Sequence, residues 1–234
     1  MKFRISQLQH LDTVDEAPDK AGLYAWYGRL SVGAADWDER ETKSNSKAQN
    51  QLLKALQDHS VKFRQQPLEV EALTNFSMRW VGGLEPALPK NWVDEPEGIW
   101  SGTANYPIAL VTSSNPGREE LLALLDDVLP VFSSPLYIGL AIDQSLRSRL
   151  QQHRYKLRRH WDGVSKDPDY LSRIKSETFA DRAIKVGFSP RDLYFYTIHI
   201  DAEGDESSKV LQEELLRSAE WLLNRWANPI LGRK

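Results

Sequence analysis

The chain has no cysteine among its 234 residues. That absence excludes disulfide bonds, thiolate metal ligands and a cysteine nucleophile. Long apolar runs are also missing: the first residues contain no apolar segment of a secretion signal, and no run approaches the roughly 20 residues that cross a membrane. We therefore expect a soluble, intracellular protein of the cytoplasm, with no membrane association.

Two common signatures of enzyme chemistry are absent as well. The sequence contains no glycine-rich phosphate-binding loop and no His-Glu-x-x-His zinc motif. What is present is an ordinary globular composition, 41% hydrophobic and 27% charged. That composition supports a core of normal size, in one large domain or two small ones.

Positive charge is concentrated in one segment, although the net charge of the chain is -3. Residues 147–160 contain six Lys or Arg and no Asp or Glu. A focused basic patch on an acidic body favours a defined nucleic-acid contact. The alternative is a solvated basic helix face. The candidate nucleic-acid-binding residues of this segment are Arg147, Arg154, Lys156, Arg158 and Arg159.

Three segments have the β-branched and aromatic content of strands: residues 22–27, 136–140 and 192–200. A helix follows the second strand, capped by Asp143 and running to about residue 159. Residues 163–168 then break the helical pattern. Its apolar stripe is Leu146, Leu150, Leu157 and Trp161. Another helix follows the third strand over residues 208–226, and its predicted buried positions are Val210, Leu211, Leu215, Ala219, Leu222 and Trp226.

The long segment between the first two strands has weaker patterns. We expect a loop over residues 29–44, helices over 45–59 and 116–129 (the second ended by Pro130), strands within 61–80, an irregular stretch over 82–105 and a short strand at 107–112. This segment, residues 29–134, has 10 basic and 15 acidic residues. It is long enough to form a subdomain of its own.

Several short motifs occur in a characteristic order. Gly22-Leu23-Tyr24 lies in the first strand and Tyr137-Ile138-Gly139 in the second. Leu146-x-x-Arg149-Leu150-x-x-His153 follows, and Glu220 precedes Pro229 by nine residues. This ordered set resembles the GIY-YIG nuclease family over about half of the chain. The resemblance implies an α/β (α+β) core, a small three-stranded sheet flanked by helices, made of residues 1–28 and 135–234. Residues 29–134 would then be an inserted subdomain for recognition, regulation, or contact with a protein partner or a second copy.

The resemblance also implies a chemistry, namely metal-dependent hydrolysis of DNA phosphodiester bonds. Glu220 would be the protein ligand of Mg²⁺ or Mn²⁺, since Mg²⁺ is often held by one carboxylate together with phosphate oxygens. Arg149 would stabilise the phosphate, with Arg147 as the competing choice. Tyr24, Tyr137 and His153 would organise the water, and either Tyr24 or His153 would be the base. Arg149 and His153, four residues apart, share one helix face.

Two positions depart from the family pattern. Gly232 stands where relatives usually have Asn, and Leu140 stands where many have Lys. The sequence thus predicts an endonuclease, in a setting such as restriction or anti-phage defence. One alternative is a catalytically weakened module that binds nucleic acid or protein. Another is a nuclease held silent by its insertion.

Overall fold

The computed structural model describes residues 2–63, 68–73, 77–82, 107–167, 169–201 and 206–232. The chain divides into two compact units, one formed by residues 1–29 with 129–234 and the other by residues 30–128. Both motif-bearing strands belong to the first unit. The sequence placed the corresponding boundaries after residues 28 and 134.

The elements of the described ranges are as follows. The strands are β1 Lys2–Ile5, β2 Gln9–His10, β3 Gly22–Gly28, β4 Leu68–Leu73, β5 Ser77–Gly82, β6 Tyr137–Ala141 and β7 Leu193–Asp201. The α-helices are α1 Ala34–Trp37, α2 Glu39–Thr42, α3 Asn45–Lys62, α4 Pro107–Thr112, α5 Asn115–Phe132, α6 Leu146–Lys166, α7 Tyr170–Arg173, α8 Phe179–Val186 and α9 Glu206–Ala227. Two 3-10 helices span Leu11–Glu16 and Pro190–Asp192.

The first unit is built on an antiparallel sheet in the order β1-β7-β3-β6, with β2 also paired to β7. The predicted mixed α/β class is confirmed, but the sheet has five strands rather than the expected three. The three expected strands β3, β6 and β7 are adjacent in it. The two extra strands are short. In β1 polar and apolar residues alternate over only four positions, Lys2–Ile5, all of them exposed, and β2 has two residues, too few for any alternation to show.

The register of the central strands decides which side chains meet. Tyr24 lies opposite Gly139 of β6 and Thr197 of β7, and Trp26 lies opposite Tyr137. Side chains that are directly opposite, or two residues apart along a strand, project from the same face of a sheet. Tyr24, Trp26 and Tyr137 therefore share one face.

Helices cover both faces of this sheet. On the face opposite Tyr24, Leu216 of α9 packs with Leu23 and Ile200, and Ala219 and Leu223 add to that cluster. On the Tyr24 face lies α6, whose buried residues Leu146, Leu150, His153 and Leu157 follow one stripe. The predicted apolar stripe of α6 is thus largely confirmed, except that Trp161 is partly exposed.

Four predictions about helix ends and element type were wrong. Residues 107–112 form the helix α4, not a strand, and α5 continues past Pro130 for two residues. The helix α6 continues to Lys166, past the predicted end near residue 159 and past Gly163, but it does end within the predicted break at residues 163–168. A Cβ at Gly163 would lie 2.6 Å from the Tyr170 ring, so the glycine lets α7 pack closely. The cap of α6 is Ser145, which accepts a hydrogen bond from the Ser148 amide, rather than Asp143.

The predicted buried face of α9 was wrong for most of its residues. Val210, Leu211, Leu215 and Trp226 are exposed, whereas Leu216 is buried; of the predicted positions, Ala219 does pack against the core cluster. Two apolar stripes run along this helix at helical spacing, and only one of them meets the sheet. Periodicity alone does not distinguish the two.

The second unit contains α1–α4, the hairpin β4–β5 and most of α5. Residues 29–44, expected as a loop, include the short helices α1 and α2. Ala48, Leu52 and Leu53 of α3 are buried, and Arg118 is fully buried. The β4–β5 hairpin lies within the stretch where strands were predicted, whereas the expected irregular segment after it falls outside the described residues, apart from Gly82. No helix in the described part of the chain has the length and apolar content to span a membrane.

Candidate active site

Four of the five predicted catalytic residues come together in the first unit. The Tyr24 hydroxyl of β3 is 2.8 Å from Nε2 of His153 in α6, and Arg149 Nε donates a hydrogen bond of 3.4 Å to the same hydroxyl. The ring of Tyr137 lies 6.1 Å from that of Tyr24 and 6.2 Å from that of His153, centroid to centroid. Two strands and one helix therefore supply one connected cluster.

The start of α6 is fixed against the N-terminal segment. The Leu146 and Arg147 amides donate to the carbonyls of Lys20 and Pro18, which precede β3. Free amides at a helix start need such acceptors. These bonds align the first turn of α6 with the start of β3. Arg149 and His153 are consequently held above Tyr24.

Gly139 allows the two tyrosines to approach each other. A Cβ at this position would lie 2.5 Å from the Tyr24 ring and hydroxyl and 2.7 Å from Tyr137 Cε1. Distances this short are not sterically possible. The glycine of the Tyr-Ile-Gly motif is thus required by the packing of the two motif tyrosines, not by its backbone angles.

Burial controls the ionisation of Tyr24 and His153. Desolvation raises the pKa of Tyr24 well above its ordinary value and the neighbouring Tyr137 raises it further, although the hydrogen bond from Arg149 opposes this. Desolvation lowers the pKa of His153 to about 3, assisted by the charges of Arg149, Lys156 and Arg182. Both groups are therefore neutral at neutral pH. In the His153 tautomer protonated on Nδ1, Nε2 accepts a hydrogen bond from the Tyr24 hydroxyl.

The position of His153 differs from what the sequence suggested. It is 6% exposed and lies behind Tyr24, with Trp26 and Phe179 at ring distances of 6.1 and 5.5 Å. It is neither a surface histidine nor a group that faces solvent. Tyr137, which is half-buried, is the more accessible tyrosine of the cluster.

Glu220 lies on α9, which packs against the opposite face of the sheet. Its carboxylate is half-buried, and within the described residues it has no hydrogen bond or ion pair. Desolvation raises its pKa, although the charge of Arg217 lowers it. The cluster of Tyr24, Tyr137, Arg149 and His153 thus forms without direct contact to Glu220.

Chain direction and hand determine the sheet edge that Glu220 faces. The side chain of Trp26 lies on the α6 face of the sheet, and its carbonyl accepts a hydrogen bond from the Leu136 amide, next to β6. In an L-residue of a strand, the chain direction and the side-chain direction together fix the side to which the carbonyl points. The side of β3 on which β6 lies is therefore fixed. The first half of α9 lies near Ile200, whose carbonyl accepts a hydrogen bond from the side-chain amide of Gln212, and the helix runs parallel to β3. Because α9 is right-handed and runs parallel to β3, the side of α9 that carries Glu220 faces β6, which is the outer strand of this sheet. Tyr137 lies on that strand.

The C-terminal turn lies at the same edge. The Leu231 amide donates to the Leu136 carbonyl at 2.7 Å, and the Gly232 amide donates to the Pro229 carbonyl at 2.9 Å. Arg182 of α8 donates to the Leu231 carbonyl. The turn that contains Gly232, the position at which the resemblance to GIY-YIG nucleases leads one to expect an asparagine, is therefore tied to the start of β6.

The predicted basic residues divide into two groups. Arg154 forms a bidentate ion pair with Asp15, at 2.8 and 2.9 Å. Arg158 pairs with Asp12 at 2.6 Å. Arg147 Nε donates a hydrogen bond to the Ala17 carbonyl. All three contact the 3-10 helix Leu11–Glu16 or the residue after it. Arg147 is thus occupied on a different flank of α6, which favours Arg149 as the arginine of the cluster.

Lys156 and Arg159 form the second group. Both are exposed, and neither has an ion pair within the part of the chain that the structure describes. They keep their charge available to an external anion. Of the five predicted nucleic-acid contacts, these two are the ones without an ion pair in the described ranges, although the charge of Lys156 helps to lower the pKa of the Asp181 carboxyl.

Sequence reasoning missed two aromatic neighbours of the cluster. Trp26 stacks on Phe179 at 5.4 Å, and Phe179 also lies 5.2 Å from Tyr137. The sequence contained a signal for each of them. Trp26 follows Tyr24 by two residues in a strand, so the two side chains share a face. Phe179 is the first residue of α8, directly after Thr178, which forms a capping box with Asp181. These rings enclose His153 and account for its low pKa.

A metal site at Glu220 can be tested against the local chemistry. No three His, Asp or Glu side chains of the described ranges group together as a metal site. A Mg²⁺ ion held by one carboxylate, waters and substrate phosphate oxygens needs no such group. A half-buried carboxylate with no protein partner in those ranges fits that kind of ligand.

Comparison with known proteins adds no relative: no family model, curated protein or solved structure matches this chain. The functional argument therefore depends on the residues and their geometry.

Proposed function

We propose that this protein is a divalent-metal-dependent endonuclease of the GIY-YIG type that hydrolyses DNA phosphodiester bonds. The cluster of Tyr24, Tyr137, Arg149 and His153 carries the proposal. Their order in the sequence alone predicts them as one group. Independent surface or strand residues would have no reason to meet.

The order of elements also supports the proposal. The strand with the first tyrosine (β3) pairs with the strand that carries the second (β6), the arginine helix α6 follows, and β7 and α9 with Glu220 complete the series. The long segment 30–128 between the two tyrosines leaves this pairing intact. Closing a longer loop costs only a slowly increasing entropy, so such an insertion is tolerated.

Each side chain has a role consistent with its environment. Arg149 directs a guanidinium to the Tyr24 hydroxyl and can bind a phosphate oxygen in the same region, stabilising negative charge there. Tyr137 offers the accessible hydroxyl of the pair and orients the nucleophilic water. Tyr24 and His153 are neutral and enclosed, so they position the other groups rather than exchange protons with solvent.

Glu220 would hold the metal, Mg²⁺ or Mn²⁺. When bound, such an ion supplies Lewis acidity toward a phosphate oxygen and lowers the pKa of a coordinated water. The residues of segment 30–128 would select the target or control access. Restriction or anti-phage defence is the biological setting that we propose, by analogy with the family.

A catalytically silent binding module is the second candidate. Two observations favour it: Gly232 replaces the family asparagine, and the carboxylate of Glu220 makes no contact with the four-residue cluster. This candidate predicts DNA or protein binding without cleavage. A nuclease silenced by its insertion predicts instead that cleavage requires a partner.

The test is cleavage of supercoiled, linear and branched DNA with Mg²⁺ or Mn²⁺ by the wild type, Glu220→Ala and Arg149→Ala. Glu214→Ala is the matched control, since Glu214 is an exposed glutamate on a different flank of α9. We expect metal-dependent cutting by the wild type and the control, and its loss in the other two variants. Equal cutting by all four proteins would reject the site. DNA binding by an inactive wild type would favour the binding module.

A further inference from the structure

The two flanks of α6 differ in whether their cations are already bound. On one flank Arg154 and Arg158 are paired with Asp15 and Asp12. The 3-10 helix that holds these carboxylates is anchored by Leu11 and Val14, both fully buried, so it is a fixed part of the fold rather than a removable cover. That flank has little charge left for a ligand.

The other flank keeps its cations. Lys156, Arg159 and Lys166 are exposed and have no ion pair within the described ranges. They follow Arg149 at intervals of seven, three and seven residues, so at 3.6 residues per turn their line winds by about 100° around the helix. It runs from the side of Arg149 and Lys156 to the solvent-facing side, where Arg159 and Lys166 border the same cleft as the paired Arg154 and Arg158. Asp162 is the single acidic residue of α6, and it too has no ion pair in the described part of the chain.

These cations form a line that leads away from the cluster. At about 1.5 Å per residue, Lys166 lies about 25 Å from Arg149 along the helix. One strand of a DNA duplex advances about 3.4 Å per nucleotide, so the line matches about seven nucleotides. An isolated mononucleotide or a short ligand would leave most of this charge unused.

We propose that this flank, Arg149–Lys156–Arg159–Lys166, is the phosphate track for the substrate strand on one side of the cut. The ligand is an extended polynucleotide of at least about seven nucleotides on that side, bound through its backbone without base selection. Arg147, Arg154 and Arg158 are outside the track. The inference rests on the proposed function only for the position of the cut, since phosphate binding along α6 does not require catalysis.

The experiment measures binding without metal, in EDTA, so that catalysis plays no part. Fluorescence anisotropy of a labelled duplex is recorded at several salt concentrations for the wild type and the triple variant Lys156→Gln/Arg159→Gln/Lys166→Gln. Lys185→Gln, an exposed cation of α8, is the control. Each phosphate contact contributes a slope of about 0.9 in log K against log salt, so the triple variant should lose roughly 2.7 from the slope while the control loses none.

A second arm tests the length. Wild-type affinity should rise as the labelled DNA is extended on one side, up to about seven nucleotides, and then level off. The triple variant should show no such rise. An unchanged salt slope in the triple variant, or affinity independent of length, would overturn the track.

The two proposals fail in different ways. A reduced slope in a protein that never cuts DNA supports the track and rejects the nuclease. Cutting by a protein whose salt slope is unaffected by the triple substitution rejects the track and supports the nuclease.

Discussion

The hydroxyl of Tyr24 and Nε2 of His153 lie 2.8 Å apart, although 129 positions separate the two residues in the chain. Both side chains are buried and neutral at neutral pH, so their hydrogen bond is made in a low-dielectric interior, where an unsatisfied partner is costly. This bond joins β3 to α6. It also fixes the direction of the Tyr24 hydroxyl relative to Arg149.

Acid should destabilise the protein partly through His153. Its pKa is about 3 in the folded protein, against an ordinary value of 6.5, so the unfolded chain binds more protons between these two values. The contribution of His153 to the free energy of unfolding is therefore fully present above pH 6.5. It is lost as the pH drops toward 3, by up to about 1.4 kcal/mol per pH unit. In His153→Gln this part of the pH dependence should disappear. Urea unfolding at a series of pH values checks it, and parallel losses in both proteins would contradict the assignment.

Gly139→Ala should disturb the cluster directly. The new methyl group would have to displace the rings of Tyr24 and Tyr137, which it would otherwise meet at 2.5 and 2.7 Å. We expect a loss of about 1–3 kcal/mol in the free energy of unfolding, with a changed near-ultraviolet tyrosine signal. Gly33→Ala is the control, because a Cβ there has 3.4 Å to its nearest neighbour, the Asp36 carboxylate. Equal stability of the two variants would argue against the tight tyrosine packing.

Arg118 should be essential to the second unit. It is fully buried and donates to the carbonyls of Trp37 and Thr112 and to the Asn45 side chain. Arg118→Met would leave these acceptors without a donor, at a cost of roughly 2–4 kcal/mol. Lys54→Met, at an exposed position of α3, should change stability little. Thermal unfolding of both variants provides the comparison, and a similar melting temperature would be the contrary result.

Removing the carboxylates that occupy Arg154 and Arg158 should strengthen polyanion binding. The Arg154 side chain, which bonds to Asp15, lowers the pKa of that carboxyl to about 2, so Asp15 is ionised across the physiological range. Asp12→Asn/Asp15→Asn should therefore release two guanidinium charges and steepen the salt dependence of DNA binding by up to roughly 1.8 in slope. Stability should change little, because exposed ion pairs contribute about 0–1 kcal/mol. An unaltered salt slope would show that these arginines remain inaccessible to DNA.

Local patterns were sufficient for the central elements of the first unit. The strands β3, β6 and β7 and the helices α6 and α9 lie where aromatic content and helical periodicity predicted them, although α6 extends to Lys166, well past its predicted end near residue 159. The motif order also identified Tyr24, Tyr137, Arg149 and His153 as one group. Chain segments with a strong period of two or of 3.6 residues indicate their structure locally, whatever they later pack against.

Other features depended on contacts between distant segments. The edge strands β1 and β2 exist because β7 offers them a partner, since the alternation of β1 covers only four exposed residues and β2 has only two residues. Which stripe of α9 is buried depends on where the sheet lies. The pairing of Arg154 with Asp15 depends on a 3-10 helix that begins 143 positions earlier in the chain, at Leu11.

The sequence by itself determined the fold class, the central strands and helices, and the identity of the clustered residues, because these follow from periodicity and motif order. The tertiary structure alone decided that His153 is enclosed and neutral, that Gly139 is needed for the contact of two tyrosine rings, and that Arg154 and Arg158 of α6 are held in ion pairs. The physical reason is that burial, pKa and charge pairing are properties of the neighbours of a residue. Those neighbours come from parts of the chain that only folding brings together.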